Sequence, residues 1–566
     1  MPNGAQALLK TLADAGVDVC FTNPGTSEMH FVAALDGEPR LRAVLCLFEG
    51  VATGAADGYA RMAGKPACTL LHLGCGLGNG LANLHNARKG KVPMLNIVGD
   101  HATYHVQYDA QLQSDIETVA RNVSPGFVRT TKSTADLCRD ATDALAAARG
   151  LPGQVATLIL PADVSWGEGG TPCAPADVSW SEGGTPCAPA PAPAPQAADD
   201  ATVQAIAQAI RAGGRTALLL GSTAMREPAL LAAARIAAHN GVTLLAETFP
   251  TRLERGAGLP AVERIAYLAE LASLQLADVK NLILVDAKAP VSFFAYPGKK
   301  SYLVPDTCTV HTLATPAQDA VASLERLGAA LGASAAQPAL QATQRPSRPR
   351  GKLSAAKVCK AVGHLLPDNA IIVDEAITSG LMLGVMTAGC PRHDLLTLTG
   401  GAIGQGLPSA VGAAVACPQR PVVALIGDGS SMYTIQALWT MAREHLDVTA
   451  IIFNNASYSV LNVELERVGA DAIGPKAKSQ LDLHGPVLDF ARLAQGMGVH
   501  AARADTAEDF CTALDYALNN PGPHLIEAVV PESLSGAKRR VLPWMLRALP
   551  SLPRGIAQAL KRKIAP

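Results

Sequence analysis

The chain has 566 residues, 49% of them hydrophobic and 17% charged, which is material for several cores and too much for one. With 47 basic against 48 acidic residues the net charge is −1, so no overall field draws it toward nucleic acid or an anionic membrane. The 12 cysteines show no CxxC pair or zinc-type spacing and no apolar run reaches membrane-spanning length, so a cytoplasmic protein with buried thiols and no membrane span is expected.

The first stretch, MPNGAQALLKTLADAG, has the pattern of an amphipathic helix rather than of a signal peptide. Over residues 1–165, helical patterns alternate with the apolar runs AVLCLFE, ACTLLHLG, PMLNIVGD and QVATLILPAD. Such alternation predicts a parallel sheet covered on both faces. Glu49 closes the first of these runs and opens a small-residue helix, EGVATGAADGYAR. His72 follows the second run in LLHLGCGLGNG, whose glycines lack the spacing of a dinucleotide site, and His101 follows the third in GDHATYH.

Residues 161–174, PADVSWGEGGTPCA, recur at 175–188 with one change, and a Pro/Ala run comes next. Two copies make no solenoid, and 166–200 is expected to be an exposed, semi-rigid linker. A second α/β unit spans 201–335, with TALLLGS, VTLLAE, NLILVDA and SYLVP as its strands. After the polar segment QATQRPSRPRGK, a third unit spans 353–533, with AIIVDEA, PVVALIGDG, TAIIFNN and HLIEAVV. Residues 534–566 form a basic tail (Lys538, Arg539, Arg540, Arg547, Arg554, Lys561, Arg562, Lys563) that includes Trp544. The expected fold is α/β, with three doubly wound parallel-sheet domains.

Two strands of the third unit end in polar knots, Gly427-Asp428-Gly429-Ser430 and Asn454-Asn455. Ligands of open parallel sheets sit beyond the carboxyl ends of strands. The oxygens of Asp428, Asn455 and the Ser457 main chain suit Mg²⁺, completed by phosphate oxygens. Gly427 and Gly429 permit a tight turn, and Ser430 and Ser431 are expected to open a helix whose free N–H groups favour a diphosphate.

This pairing resembles the thiamin-diphosphate fingerprint of the decarboxylase and acetolactate-synthase superfamily. The resemblance covers nearly the whole chain as pyrimidine-binding, middle and diphosphate-binding domains. It implies thiamin diphosphate and Mg²⁺ as cofactors, with Asp428, Asn455 and Ser457 as metal ligands and Glu49 reaching the aminopyrimidine. Thr22–Glu28 resembles the N-terminal loop of benzoylformate decarboxylase, which places Thr26 at the substrate. His72 matches an active-site histidine of that enzyme, and His101 is a second candidate for proton transfer. Thr378 and Ser379 match diphosphate-contacting positions, Gly401 a main-chain contact to the pyrimidine, and Ile403 the apolar residue that keeps the cofactor bent; Tyr458 completes the cofactor-binding set.

Some positions depart from the pattern. Phe293 stands near the place of a second catalytic histidine of benzoylformate decarboxylase, and Glu464 where that enzyme's aryl pocket has an aromatic residue. YSVLNVE replaces the Met-x-x-Trp-Gln run of biosynthetic acetolactate synthases, and flavin contacts are not recognisable, so FAD is not expected. Gln111, Phe293, Val460 and Glu464 are the candidate pocket residues. The resemblance implies a lyase acting on a small 2-oxo acid or aldehyde, as a homodimer or homotetramer with active sites at the subunit interface and no nucleic-acid partner. The alternatives are acetolactate-synthase-type carboligation, a quinone-linked flavin oxidase whose basic tail docks on a membrane, and a non-catalytic cofactor-binding subunit.

Overall fold

A computed structural model describes residues 2–169, 194–295, 299–468, 474–532 and 556. The first sheet contains β1 (Val19–Asn23), β2 (Arg42–Leu45), β3 (Ala67–Leu71), β4 (Met94–Asp100), β5 (Val128–Thr130) and β6 (Val155–Pro161), all parallel, in the order β2-β1-β3-β4-β6-β5. The second region supplies β7 (Thr216–Leu220), β8 (Thr243–Ala246), β9 (Leu253–Arg255), β10 (Glu263–Arg264), β11 (Asn281–Val285) and β12 (Thr309–Ala314). Five of these pair in the order β10-β8-β7-β11-β12. The third sheet holds β13 (Ala370–Glu375), β14 (His393–Thr397), β15 (Val422–Gly427), β16 (Val448–Asn454), β17 (His500–Ala504) and β18 (His524–Val529), in the order β17-β18-β16-β15-β13-β14-β9. Its central strands are continuous apolar runs because helices cover both faces.

Each sheet winds outward in two directions from one crevice: β1/β3 in the first, β7/β11 in the second, β13/β15 in the third. Loops diverge there, which leaves room for ligands at the strand ends.

Three expectations are corrected. β9 leaves the middle region and pairs antiparallel with β14 (Leu253↔Leu395), so the third sheet is not wholly parallel. The run SYLVP is not a strand; Tyr302 makes only an isolated bridge to Val291, and Pro305 precedes a turn. The edge strand is instead TVHTLA, whose exposed polar positions hid it. Finally, the first copy of the repeat is not all linker. Ala162–Trp166 is a helix packed on the first domain, with Ser165 fully buried and the Asp163 carboxylate accepting from the Thr103 N–H (2.9 Å) and hydroxyl (2.5 Å). Gly167 follows against Thr134, where a Cβ would lie 2.3 Å from Oγ1. The second copy and the basic tail lie outside the described residues, apart from Ile556.

Helix Glu49–Ala63 packs on helix Gly406–Ala416 of the third domain at backbone distance. A Cβ on Gly58 would be 2.2 Å from the Ser409 carbonyl oxygen, and one on Gly412 would be 1.8 Å from that of Ala55. Arg61 and Asp57 form a fully buried ion pair at this seam (2.7 Å), and Arg61 also donates to the carbonyls of Thr251 (3.2 Å) and Thr397 (2.8 Å). All three domains therefore meet at one guanidinium. No helix among the described residues is long and apolar enough to cross a membrane.

At the middle crevice, Lys91 of the first domain pairs with buried Asp286 (2.9 Å), and Glu247 accepts from the Ser222 N–H (3.0 Å). Burial pushes the Glu247 carboxyl up to about 7, helped by Asp286 and opposed by the Ser222 N–H and Lys91. Its folded pKa lies above its unfolded value, so the stability it contributes is present at low pH and lost as pH rises through about 7. Thermal melts of wild type and Glu247→Gln at pH 6 and 8 check this: the variant is expected to lose less stability between the two pH values, by about 1 kcal/mol.

Candidate cofactor and active site

β15 and β16 run side by side, with Gly427 opposite Phe453, so the two polar knots meet at one edge of the third crevice. Asp428 is buried, its Oδ1 accepting from the Gly429 N–H (2.8 Å) and Oδ2 from the Asn455 N–H (3.0 Å). Burial pushes its carboxyl up, while the N–H groups of Gly429, Ala456, Asn455 and Ser457 pull it down. Ala456 is left-handed (φ 52°), which curls the loop so that the Ser457 N–H reaches Asn455 Oδ1 (2.9 Å). One carboxylate and neutral oxygens thus gather at one loop pair, a hard-oxygen donor set that fits Mg²⁺. Asn454 belongs elsewhere: its side chain donates to Glu527 (2.8 Å).

The segment after Asp428 is a single helical turn, Asp428–Ser431, not the longer helix expected. The Ser431 hydroxyl returns to the Asp428 carbonyl (2.7 Å), and Ser430 is buried. Gly429 lies under the Tyr458 ring, where a Cβ would be 2.2 Å from a ring carbon. Thr378 and Ser379 follow β13 across the crevice, after Ile377 takes a left-handed turn (φ 50°).

In the first domain, Glu49 is the first residue of its helix and buried, with Oε2 accepting from Asn79 (3.0 Å). His72 caps the next helix, Leu73–Lys89, and its Nδ1 lies 2.8 Å from Glu28 Oε2. Glu28 also accepts from the Gly25 N–H (2.7 Å); its other oxygen is buried without a partner among the described residues. Burial dominates and pushes the Glu28 carboxyl up, against Gly25 and His72. Thr26 begins the short turn Thr26–Glu28, beside Gly25, whose missing Cβ makes room for the His72 ring. Glu28 and His72 therefore occupy the β1/β3 crevice. His101 follows β4, with Nε2 buried and unpartnered among the described residues and its ring 5.3 Å from that of His105.

The two halves are tied together by carboxamides. Asn83 Nδ2 donates to Gly50 O (2.7 Å) and to Gly404 O (3.1 Å), linking the residue after Glu49 to the loop that carries Gly401 and Ile403. Asn86 donates to Ala402 O (2.7 Å) and accepts from Ala402 N (3.2 Å), while the His85 ring reaches Gly400 O (3.2 Å).

Phe293 lies over Gly401, where a Cβ would be 2.8 Å from the ring, and belongs to a cluster with Phe249, Tyr267 and Phe294. Gln111 is exposed in a turn and Val460 half-buried in helix Ser459–Arg467. Glu464 is engaged by Arg467 at 2.8 Å, and Arg467 also pairs with Glu270 of the middle domain (2.8 Å). That network makes Glu464 a domain strut rather than a free pocket carboxylate. Glu28, Asn79, Asn83 and Asn86 were missed because each, taken alone, resembles an ordinary cap or surface position. The spacing of Asn79, Asn83 and Asn86 along one helical face is the signal that was available.

Residues 2–120 match the model of the thiamine pyrophosphate enzyme, N-terminal TPP binding domain, and residues 381–528 that of the C-terminal TPP binding domain. A provisionally named acetolactate synthase large subunit, IlvX, of Mycobacterium tuberculosis is 56% identical over 94% of this chain and 99% of its own length. Benzoylformate decarboxylase of Pseudomonas aeruginosa is 29% identical over 90% of this chain and 96% of that protein. The solved structure of a thiamine diphosphate-dependent 4-hydroxybenzoylformate decarboxylase from Rhodococcus jostii superposes with TM-score 0.78, at 24% identity, over 94% of this chain and all of that one.

Asn83→Ala removes both bonds of a buried bridge. It should cost about 1–3 kcal/mol in urea unfolding, because the carbonyls of Gly50 and Gly404 lose their donor. A variant as stable as wild type would show that the bridge does not hold the halves together.

Proposed function

The chain belongs to the thiamine pyrophosphate enzyme family, and from that premise we propose that it is a Mg²⁺-dependent enzyme acting on a small 2-oxo acid, releasing CO₂ and either protonating the product or transferring it to an aldehyde or second oxo acid. The observation that carries this is the Glu49 carboxylate, fixed by Asn79 and seated one residue from the Asn83 bridge to the Gly400–Gly404 loop. A subunit that only bound the cofactor would have little use for a buried carboxylate there.

Asp428, Asn455 and the Ser457 main chain would hold Mg²⁺. Thr378, Ser379, Gly427, Gly429, Ser430 and Tyr458 would surround the diphosphate, and Gly401 and Ile403 the pyrimidine. When bound, thiamin diphosphate supplies a carbon nucleophile and an electron sink for decarboxylation. Glu49 holds a proton at the aminopyrimidine end. His72, oriented by Glu28, exchanges a proton with the substrate through Nε2, and Thr26 orients the substrate carboxylate. The loop-to-helix seam excludes water from the buried side.

Carboligation of the acetolactate-synthase kind is the second reading. It is favoured by the relative that bears that name at 56% identity. A flavin oxidase is disfavoured because no flavin-contact pattern is recognisable in the middle-domain sequence. We read the assembly as a homodimer or homotetramer in the cytoplasm. The Glu49 seam, closed here within one chain, can equally be exchanged between two copies; light scattering gives the state.

The test is CO₂ release with product identification on glyoxylate, pyruvate and benzoylformate, with thiamin diphosphate and either Mg²⁺ or EDTA. Aldehyde product marks a decarboxylase, and acetolactate or another acyloin marks a carboligase. EDTA should abolish turnover. Glu49→Ala should keep cofactor binding and lose at least about 100-fold in kcat. Unimpaired turnover in that variant would remove Glu49 from the mechanism.

A further inference from the structure

Glu375 is the last residue of β13, and only 2% of it is exposed. Its Oε1 accepts from the N–H groups of Gly404 (2.5 Å) and Gln405 (3.4 Å), and its Oε2 from that of Gly406 (2.6 Å). Three consecutive backbone donors of one turn therefore converge on a single carboxylate. They would otherwise be buried orphans, because Gly406 opens the helix that packs against Glu49–Ala63. The fit is tight: a Cβ on Gly406 would be 2.7 Å from Oε2.

The same turn is held from the other side. Gln405 donates through its side chain to Asp57, whose partner is Arg61. A cavity of about 10 Å³, enough for one water, is lined by Arg61, Asp374, Glu375, Thr397, Gln405 and Ser409. The side-chain oxygen of Gln405 is buried without a partner among the described residues, and such a water could donate to it. The charged groups facing Glu375 are Asp374 from its own strand and Arg61 from the first domain, with Asp57 behind Arg61. Burial pushes the Glu375 carboxyl up to about 7, against the three N–H groups.

Resting on the function proposed above, we propose that Glu375 is a positioning residue for the cofactor: its carboxylate fixes the Gly404–Gly406 turn, and through it Gly401 and Ile403, against the strand end that carries Thr378 and Ser379. The two segments expected to touch opposite ends of thiamin diphosphate are thereby held at one spacing before the cofactor arrives. The carboxylate does not touch reacting atoms. It acts through the turn.

Glu375→Gln keeps the size of the side chain but turns an NH₂ toward a backbone N–H, so at least one donor loses its acceptor. Titration calorimetry of thiamin diphosphate in Mg²⁺ should show at least 10-fold weaker binding in Glu375→Gln and weaker still in Glu375→Ala, with the Gln variant melting close to wild type. Binding within twofold of wild type in a folded Gln variant would overturn the proposal. Should the variants not fold, hydrogen exchange on the cofactor-free wild type decides. Protected amides at Gly404 and Gly406 are expected, and free exchange there would refute a pre-held turn. A wild type that binds no thiamin diphosphate would instead sink the functional assignment, leaving the turn's protection to be measured separately.

Discussion

Everything at the site depends on two helices approaching closely enough for their backbones to touch. Gly58 sits against the carbonyl of Ser409, and Gly412 against that of Ala55. Small residues permit the approach, and dense packing along the seam rewards it. The Asp57–Arg61 pair lies on one helix and helps fix the register through its bonds across the seam, Asp57 accepting from the Gln405 side chain and Arg61 donating to the Thr397 carbonyl. The seam brings the start of one helix, Glu49, beside the loop leading into the other, Gly400–Gly404. A bulkier seam would hold the two cofactor-facing surfaces apart.

The three sheets place acids at comparable crevices and use them differently. In the first, Glu28 is joined to His72, which fixes the imidazole at the strand ends. In the second, Asp286 is neutralised by a lysine from another domain, so the crevice becomes a structural joint. In the third, Glu375 and Asp428 lie at the ends of neighbouring strands, Glu375 bound to the Gly404–Gly406 turn and Asp428 to the N–H groups of Gly429 and Asn455. The shared winding explains why acids recur at strand ends. What each acid meets, and not the fold, decides what it can do.

Much of the architecture was legible in the chain. Strongly apolar strands such as Val422–Gly427 and Val448–Asn454 announce themselves because they are buried on both faces. Edge and mixed strands did not: His500–Ala504 and Thr309–Ala314 alternate or expose polar residues, and SYLVP imitated a strand where a proline turn follows. At the candidate site, Asp428 and Asn455 stand out in the sequence because each punctuates a strand. Glu28 and Glu375 were not, since their roles arise only from partners 44 residues away (His72) and 29 to 31 residues away (Gly404 to Gly406). Glu464 misled in the opposite sense. Its position suggested a pocket, while its partner Arg467 ties it into a joint with the middle domain.

The docked segment Pro161–Gly167 bears on the history of the duplicated stretch. The two copies differ only in that Gly167 is matched by Ser181. Gly167 occupies the spot where a Cβ would meet Thr134 at 2.3 Å, so the copies are not interchangeable at this surface. A tandem repeat invites contraction during replication, and a contraction can keep either residue at the junction. Only lineages that retain glycine next to the docked helix keep the contact intact.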